Sequence, residues 1–172
     1  MKEIQLPNEI HPSMRGWFAV ELHRQMSVNK DIFLLVGDLG YKVFDNHFKD
    51  FPERTYNCGA SEQTLIGVGV GLALQGKIPF CYSITPFLIY RPFETIRNYI
   101  DHEQIPVKLI GSGRDRDYLD DGFSHWSEET KRVMQVAFPS IGTYWPEAKE
   151  DIPDIMEEVV NNGRPSFVSL RR

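Results

Sequence analysis

The chain has 172 residues, 41% of them hydrophobic and 25% charged, with a formal net charge of -5 at pH 7. That is enough chain for one domain with a continuous core, and the acidic balance argues against nucleic acid as a partner. Cys58 and Cys81 make no disulfide framework, residues 1–14 lack the apolar core of a secretory signal, and no run approaches the roughly 18 apolar residues that cross a bilayer. The expectation is a cytoplasmic protein with no membrane contact.

Residues 1–14 read as an N-terminal extension and 15–172 as the domain. Residues 15–26 place Trp17, Phe18, Leu22 and Met26 at helical spacing. Ile32 to Val36 is an unbroken apolar run, the pattern of a strand buried on both faces, closed by Gly37 and Asp38. Residues 41–53 read as a loop or short helix carrying Phe44, Phe48 and Phe51, and 54–59 as a short strand or extended segment. Residues 61–76 read as a helix capped by Ser61 and ended by Gly76. A strand over 78–84 and a helix over 91–104, with Pro92 in its first turn, come next. A strand over 107–113, a polar loop over 114–124 and a short helix over 125–138 follow. The chain closes with a strand over 141–146, a helix over 149–162 and a strand over 165–172. This alternation predicts an α/β fold, a mainly parallel sheet flanked by helices on both faces. Sites in such sheets lie beyond the carboxyl ends of the strands, where Asp38, the segment around Thr85 and Phe87, and the loop after Gly111 fall.

Glu62 heads a stretch that is otherwise small and apolar, and a buried carboxylate is costly unless paired or protonated. Alone, a glutamate at a helix start is explained by the helix dipole. Gly67, Gly69 and Gly71 follow inside the helix, so they are not a dinucleotide loop, which would open the helix with G-x-G-x-x-G spacing. Each interior glycine costs about 1 kcal/mol relative to alanine. Three of them predict close approach, either of helix to sheet or across a subunit interface.

The stretch "ERTYNCGASEQTLIGVGVGLALQGKIPF" resembles the pyrimidine-binding domain of the transketolase family of thiamine-diphosphate enzymes, with Glu53, Arg54, Asn57, Gly59, Glu62 and Gln63 in matching places. "VGDL", "PFLIYRPFETIR" and "DDGFSHWSEE" resemble further family motifs, in the family's order. The resemblance implies the thiamine-diphosphate-binding fold. It implies that Glu62 hydrogen-bonds N1′ of the cofactor's aminopyrimidine and exchanges a proton there, which is general acid–base chemistry. It implies that Phe87, or Leu88 one residue on, packs on that ring. It sets His125 against substrate oxygens as a proton carrier, Asp121 against a substrate hydroxyl, and Arg91 either against a substrate phosphate or in a structural ion pair. Asp38 faces the cofactor or simply ends its strand. His11, His23, His47 and His102 match nothing and read as surface residues.

Two departures bear on specificity. The loop "GRDRDYLDDG" carries Arg114, Asp115, Arg116 and Asp117 where the family is usually neutral, and Trp126 stands where it commonly has Gln. Arg114 and Arg116 either face the substrate channel and favour anionic groups or belong to a solvated loop.

The family's G-D-G…N segment, which holds the diphosphate and Mg²⁺, has no counterpart here, and "DDGFSH" does not supply one. No metal ligand is assigned to this chain. The expectation is one half of a split enzyme: a pyrimidine-binding subunit paired with a separate diphosphate-binding subunit bearing G-D-G…N, with two copies of each. It would act as a transferase, making or breaking a C–C bond beside a carbonyl of a small keto or sugar substrate. A thiamine-dependent 2-oxo acid decarboxylase subunit shares the glutamate, but the D-G-x-[ST]-H pattern is less expected there. A non-catalytic regulatory protein could dispense with Glu62, which is present.

Overall fold

The computed structural model describes residues 12–172. The N-terminal extension lies outside them up to residue 11, as does His11. The elements in chain order are α1 (Met14–Val28), β1 (Ile32–Val36), α2 (Asp45–Asp50), β2 (Thr55–Asn57), α3 (Glu62–Leu74) and β3 (Ile78–Ile84). Then come α4 (Thr85–Tyr90), the single turn α5 (Phe93–Thr95) and β4 (Lys108–Ser112). The chain ends with α6 (Thr130–Ala137), β5 (Gly142–Tyr144), α7 (Ile152–Asn161) and β6 (Ser166–Leu170). The strands form one parallel sheet in the order β2-β1-β3-β4-β6-β5.

The strands are apolar throughout because both faces of the sheet are covered. Alternate residues still separate into two cores. Leu34, Val36, Phe80, Tyr82, Ile110, Val168 and Leu170 pack against Phe18, Leu22 and Met26 of α1 and Ile152, Met156 and Val159 of α7. Leu35, Cys81, Leu109 and Phe167 pack on the other face against Leu65, Ile66 and Val70 of α3, Ile96 and Ile100, and Met134 and Phe138. Met14 belongs to the first core, and its sulfur meets the backbone N–H of Arg171.

Three elements differ from the sequence reading. A helix, α4, begins directly where β3 ends, with Pro86 in its first turn. Its aromatic and β-branched residues carry no amphipathic signal, because Leu88 and Ile89 are buried by contact with the sheet rather than by periodicity. The expected helix over 91–104 is one α-turn followed by a π-helix over Ile96–His102. The helix expected from residue 125 starts at Thr130, because residues 123–129 are taken up by a 3₁₀ turn and a bridge between Asp115 and Ser127.

His47 is not a surface residue. It is 1% exposed, its ring meeting those of His23 and Phe44 edge-on at 5.2 and 5.3 Å. Burial, with His23 beside it, lowers its pKa to about 3. His23 accompanies it, hydrogen-bonded to Asp50 at 2.9 Å, while His102 is exposed.

The glycines of α3 divide by face. A Cβ on Gly69 would stand 2.6 Å from the Cys81 sulfur, so this glycine lets the helix lie close on β3. A Cβ on Gly67 or Gly71 would meet nothing within 4 Å. Gly67→Ala is therefore expected to stabilise the chain by about 1 kcal/mol through helix propensity. Gly69→Val is expected to destabilise it by about 1–3 kcal/mol through overpacking. Urea denaturation of the two variants checks both signs.

Candidate active site

The carboxyl ends of the central strands bring the functional side chains to one edge. β1 runs into Gly37, β3 into α4, and β2 leads within a few residues to Glu62, the first residue of α3. The Glu62 side chain is 1% exposed. Ser83 Oγ donates to its Oε1 at 2.8 Å and Arg91 Nη1 donates to its Oε2 at 2.6 Å. The α3 amino terminus adds a favourable dipole. A Cβ on Gly37 would come within 3.3 Å of Glu62 Oε1 and 3.2 Å of Ser83 Oγ, so a glycine there leaves room for the carboxylate. Ser61 does not cap the helix with its side chain: its hydroxyl pairs with that of Thr64 at 2.9 Å.

From Glu62 a row of contacts runs along the edge. The Arg91 side chain is 46% exposed, and its guanidinium carbon lies 3.9 Å from the centroid of the Phe87 ring. The Phe87 ring meets His125 edge-on at 4.8 Å, and His125 Nδ1 is 3.0 Å from Ser124 Oγ. Leu88 is fully buried in the α3-side core, so Phe87 is the side chain available at this edge. Thr85 Oγ1 donates to the Gly113 carbonyl at 2.6 Å, tying the end of β3 to that of β4.

The remaining sequence candidates make contacts of their own. Asp38 has a φ of 57° and is exposed. Its N–H donates to Asn57 Oδ1 and its Oδ1 accepts from Asn57 Nδ2, both at 3.0 Å, so the pair brackets the ends of β1 and β2. Asp121 is exposed, 3.8 Å from the Arg172 guanidinium.

Arg114 faces inward. It is 6% exposed, and its Nη2 donates to the carbonyls of Ser169 and Pro146 at 2.7 and 2.9 Å. Its Nε donates to Ser169 Oγ at 3.2 Å. A guanidinium fork suits acceptors that converge from the end of β6 and the segment after β5, because it presents several donors in fixed directions. Arg116 is exposed, lies 4.4 Å over the Trp126 ring and pairs with Glu128 at 3.0 Å. Asp115 and Asp117 form ion pairs with Arg171, and Asp117 Oδ2 also accepts the Arg114 backbone N–H at 3.0 Å.

Sequence reading passed over Ser83, Gly37 and Tyr118. Ser83 lies inside an apolar strand with no motif around it. Gly37 looks like an ordinary strand stop. Tyr118, 6.0 Å from His125 and 2.8 Å from Ser112 Oγ, sits in a run that reads as solvated.

A parallel sheet covered by helices on both faces, with a buried carboxylate and an aromatic ring at its carboxyl edge, defines an α/β domain. The family model for the transketolase pyrimidine-binding domain matches residues 11–172, and the chain belongs to that family. It is 32% identical over 164 residues to a putative transketolase C-terminal section of Methanocaldococcus jannaschii, covering 95% of this chain and 52% of that protein. It is 31% identical over 122 residues to one of the subunits of apulose-4-phosphate transketolase from Actinobacillus succinogenes, covering 71% and 39%. Among solved structures, a split-gene transketolase described as an inactive beta4 tetramer superimposes with a TM-score of 0.82 at 29% identity, covering 93% of this chain and 51% of that one. Transketolase of Campylobacter jejuni superimposes with a TM-score of 0.82 at 18% identity, covering 98% and 27%, a likeness of fold. The chain spans about half the length, or less, of these relatives.

The different burial of the two loop arginines predicts different losses. Arg114→Ala should cost about 3 kcal/mol, since two buried carbonyls lose their donor. Arg116→Ala should stay within about 0.5 kcal/mol, as expected of an exposed pair. Guanidinium chloride denaturation curves of the single variants check the contrast.

Proposed function

We propose that this chain is the pyrimidine-binding half of a split, transketolase-like enzyme that makes or breaks a C–C bond next to a carbonyl, and that Glu62 activates the aminopyrimidine of thiamine diphosphate. The observation that carries the reading is the Glu62 carboxylate: buried, held on one oxygen from within, and taking a hydrogen bond on the other from a flat cation that lies on Phe87. These residues fit an aminopyrimidine, which also asks for a carboxylate partner in its plane and an aromatic surface beneath. Relatives named as transketolase sections and subunits favour this reading over a 2-oxo acid decarboxylase subunit.

Thiamine diphosphate would supply the carbanion chemistry at its thiazolium ring. The chain's own residues bind, orient and move protons. Glu62 holds or yields a proton at N1′, and its burial keeps bulk water from competing for that proton. Ser83 fixes the carboxylate so that the proton stays on the outward oxygen. Phe87 supports the ring face. His125 touches the Phe87 ring, and its imidazole would meet substrate oxygens, with Asp121 for a hydroxyl and Arg91 for an anionic group. Asp38 is a rim residue on the cofactor side, and Arg116 belongs to the rim on the substrate side. The diphosphate and Mg²⁺ fall to a partner subunit carrying G-D-G…N, two copies of each chain forming the enzyme. The cytoplasm suits the reduced cysteines. Among the described residues no helix is long and apolar enough to cross a membrane.

Glu62→Gln keeps the side-chain volume and cannot exchange the proton. Turnover of the assembled enzyme should fall by at least about 100-fold, the lower bound for a general acid–base residue, with an unchanged circular dichroism spectrum. Near-normal turnover would remove Glu62 from the mechanism. The chain without its partner should show no micromolar affinity for thiamine diphosphate with Mg²⁺ in a calorimetric titration, because the diphosphate contacts lie on the other subunit.

A further inference from the structure

We propose that Arg91 occupies the aminopyrimidine's own place, as a plug that the ring must turn out before it can reach Glu62. The inference rests on reading Glu62 and Phe87 as the ring's contacts. A guanidinium and an aminopyrimidine share the features that matter at such a site: both are planar and delocalised, donate N–H groups in the plane, and offer apolar faces for stacking. Arg91 uses each of them here. Its Nη1 donates to Glu62 Oε2 at 2.6 Å, and its guanidinium carbon sits 3.9 Å from the Phe87 centroid.

The carboxylate has little other accessible surface to offer, its side chain being 1% exposed. Ser83 Oγ, fully buried, holds Oε1 at 2.8 Å, and Gly37 closes on the same oxygen. Oε2 is the outward oxygen, and Arg91 takes it. A ring that both bonds Oε2 and lies on Phe87 must therefore fill the volume of the guanidinium.

The tether makes this arrangement the default. Arg91 continues α4, its N–H donating to the Phe87 carbonyl one turn earlier, so residues 87 and 91 share a helix face. The side chain returns to Phe87 without any loop motion. At 46% exposure it can also leave by rotating about its own bonds into solvent. The plug gives the buried Glu62 carboxylate a counter-ion, and it taxes cofactor binding by the fraction of molecules in which it is seated. A plug seated in nine molecules of ten weakens apparent affinity about tenfold.

The test is calorimetric titration of thiamine diphosphate with Mg²⁺ into the complex of this chain with its diphosphate-binding partner, comparing the native chain with Arg91→Ala and Arg91→Gln. Both variants should bind the cofactor several-fold to about tenfold tighter, with fold and assembly checked by circular dichroism and sedimentation. Equal or weaker binding in both variants, with the native complex binding normally, overturns the plug and leaves the pyrimidine site standing. Absence of binding in all three complexes overturns the pyrimidine site itself, and the plug with it. A second readout needs no turnover. In ¹⁵N spectra of the complex, the Arg91 guanidinium should give a slowly exchanging signal that Glu62→Gln abolishes and that thiamine diphosphate collapses to a solvent-exposed one. Persistence of the slow signal at saturating cofactor would overturn the proposal.

Discussion

A carboxylate with 1% of its side chain exposed is the constraint around which this edge of the protein is built. Removing a charge from water is costly unless partners replace the solvent. The replacement here comes from four separate elements. β3 supplies the Ser83 hydroxyl, the end of α4 supplies Arg91, α3 supplies its amino-terminal dipole, and the turn after β1 supplies room at Gly37. Loss of the Ser83 or Arg91 contact would leave the carboxylate less well paired, so the strand ends must stay in register for Glu62 to keep its partners.

That register is maintained by polar ties outside the apolar cores. Asp38 and Asn57 bracket β1 with β2, and Thr85 spans β3 and the end of β4. Arg114 gathers the backbone after β5 and at the end of β6. Each satisfies backbone groups where the sheet ladder stops, which is where buried carbonyls and N–H groups would otherwise be orphaned. The Arg91 side chain, 46% exposed, is the part of this edge open to solvent beside Glu62. On the proposed function, a well-held acid under a side chain that can turn away suits a group that would meet a cofactor in fixed geometry.

The α3 helix shows how one sequence feature can serve two physical ends. Its three glycines look alike in the sequence. Gly69 lets the helix settle on the Cys81 sulfur, while Gly67 and Gly71 face away from the domain and have no neighbour within 4 Å. The outward pair would cost stability in an isolated helix; on the proposed split-enzyme reading it would lie at a subunit boundary.

The sequence by itself determined the layered α/β fold with a mainly parallel sheet, five of its strands and Glu62 at the head of α3, because apolar runs, helical spacing and glycine stops are local signals. It also singled out Phe87 and His125, through motifs that lie together in the chain. The tertiary structure alone decided which partners compensate Glu62, because Ser83 and Arg91 come from 21 and 29 residues away. It decided that Phe87 rather than Leu88 faces the edge, since α4 has no periodic pattern and only its contact with the sheet fixes its rotation. It also turned Arg114 inward and Arg116 outward from one charged loop, and drew His47 into the core. Burial of a polar residue is set by the donors and acceptors that distant strands present to it, and no local pattern records those.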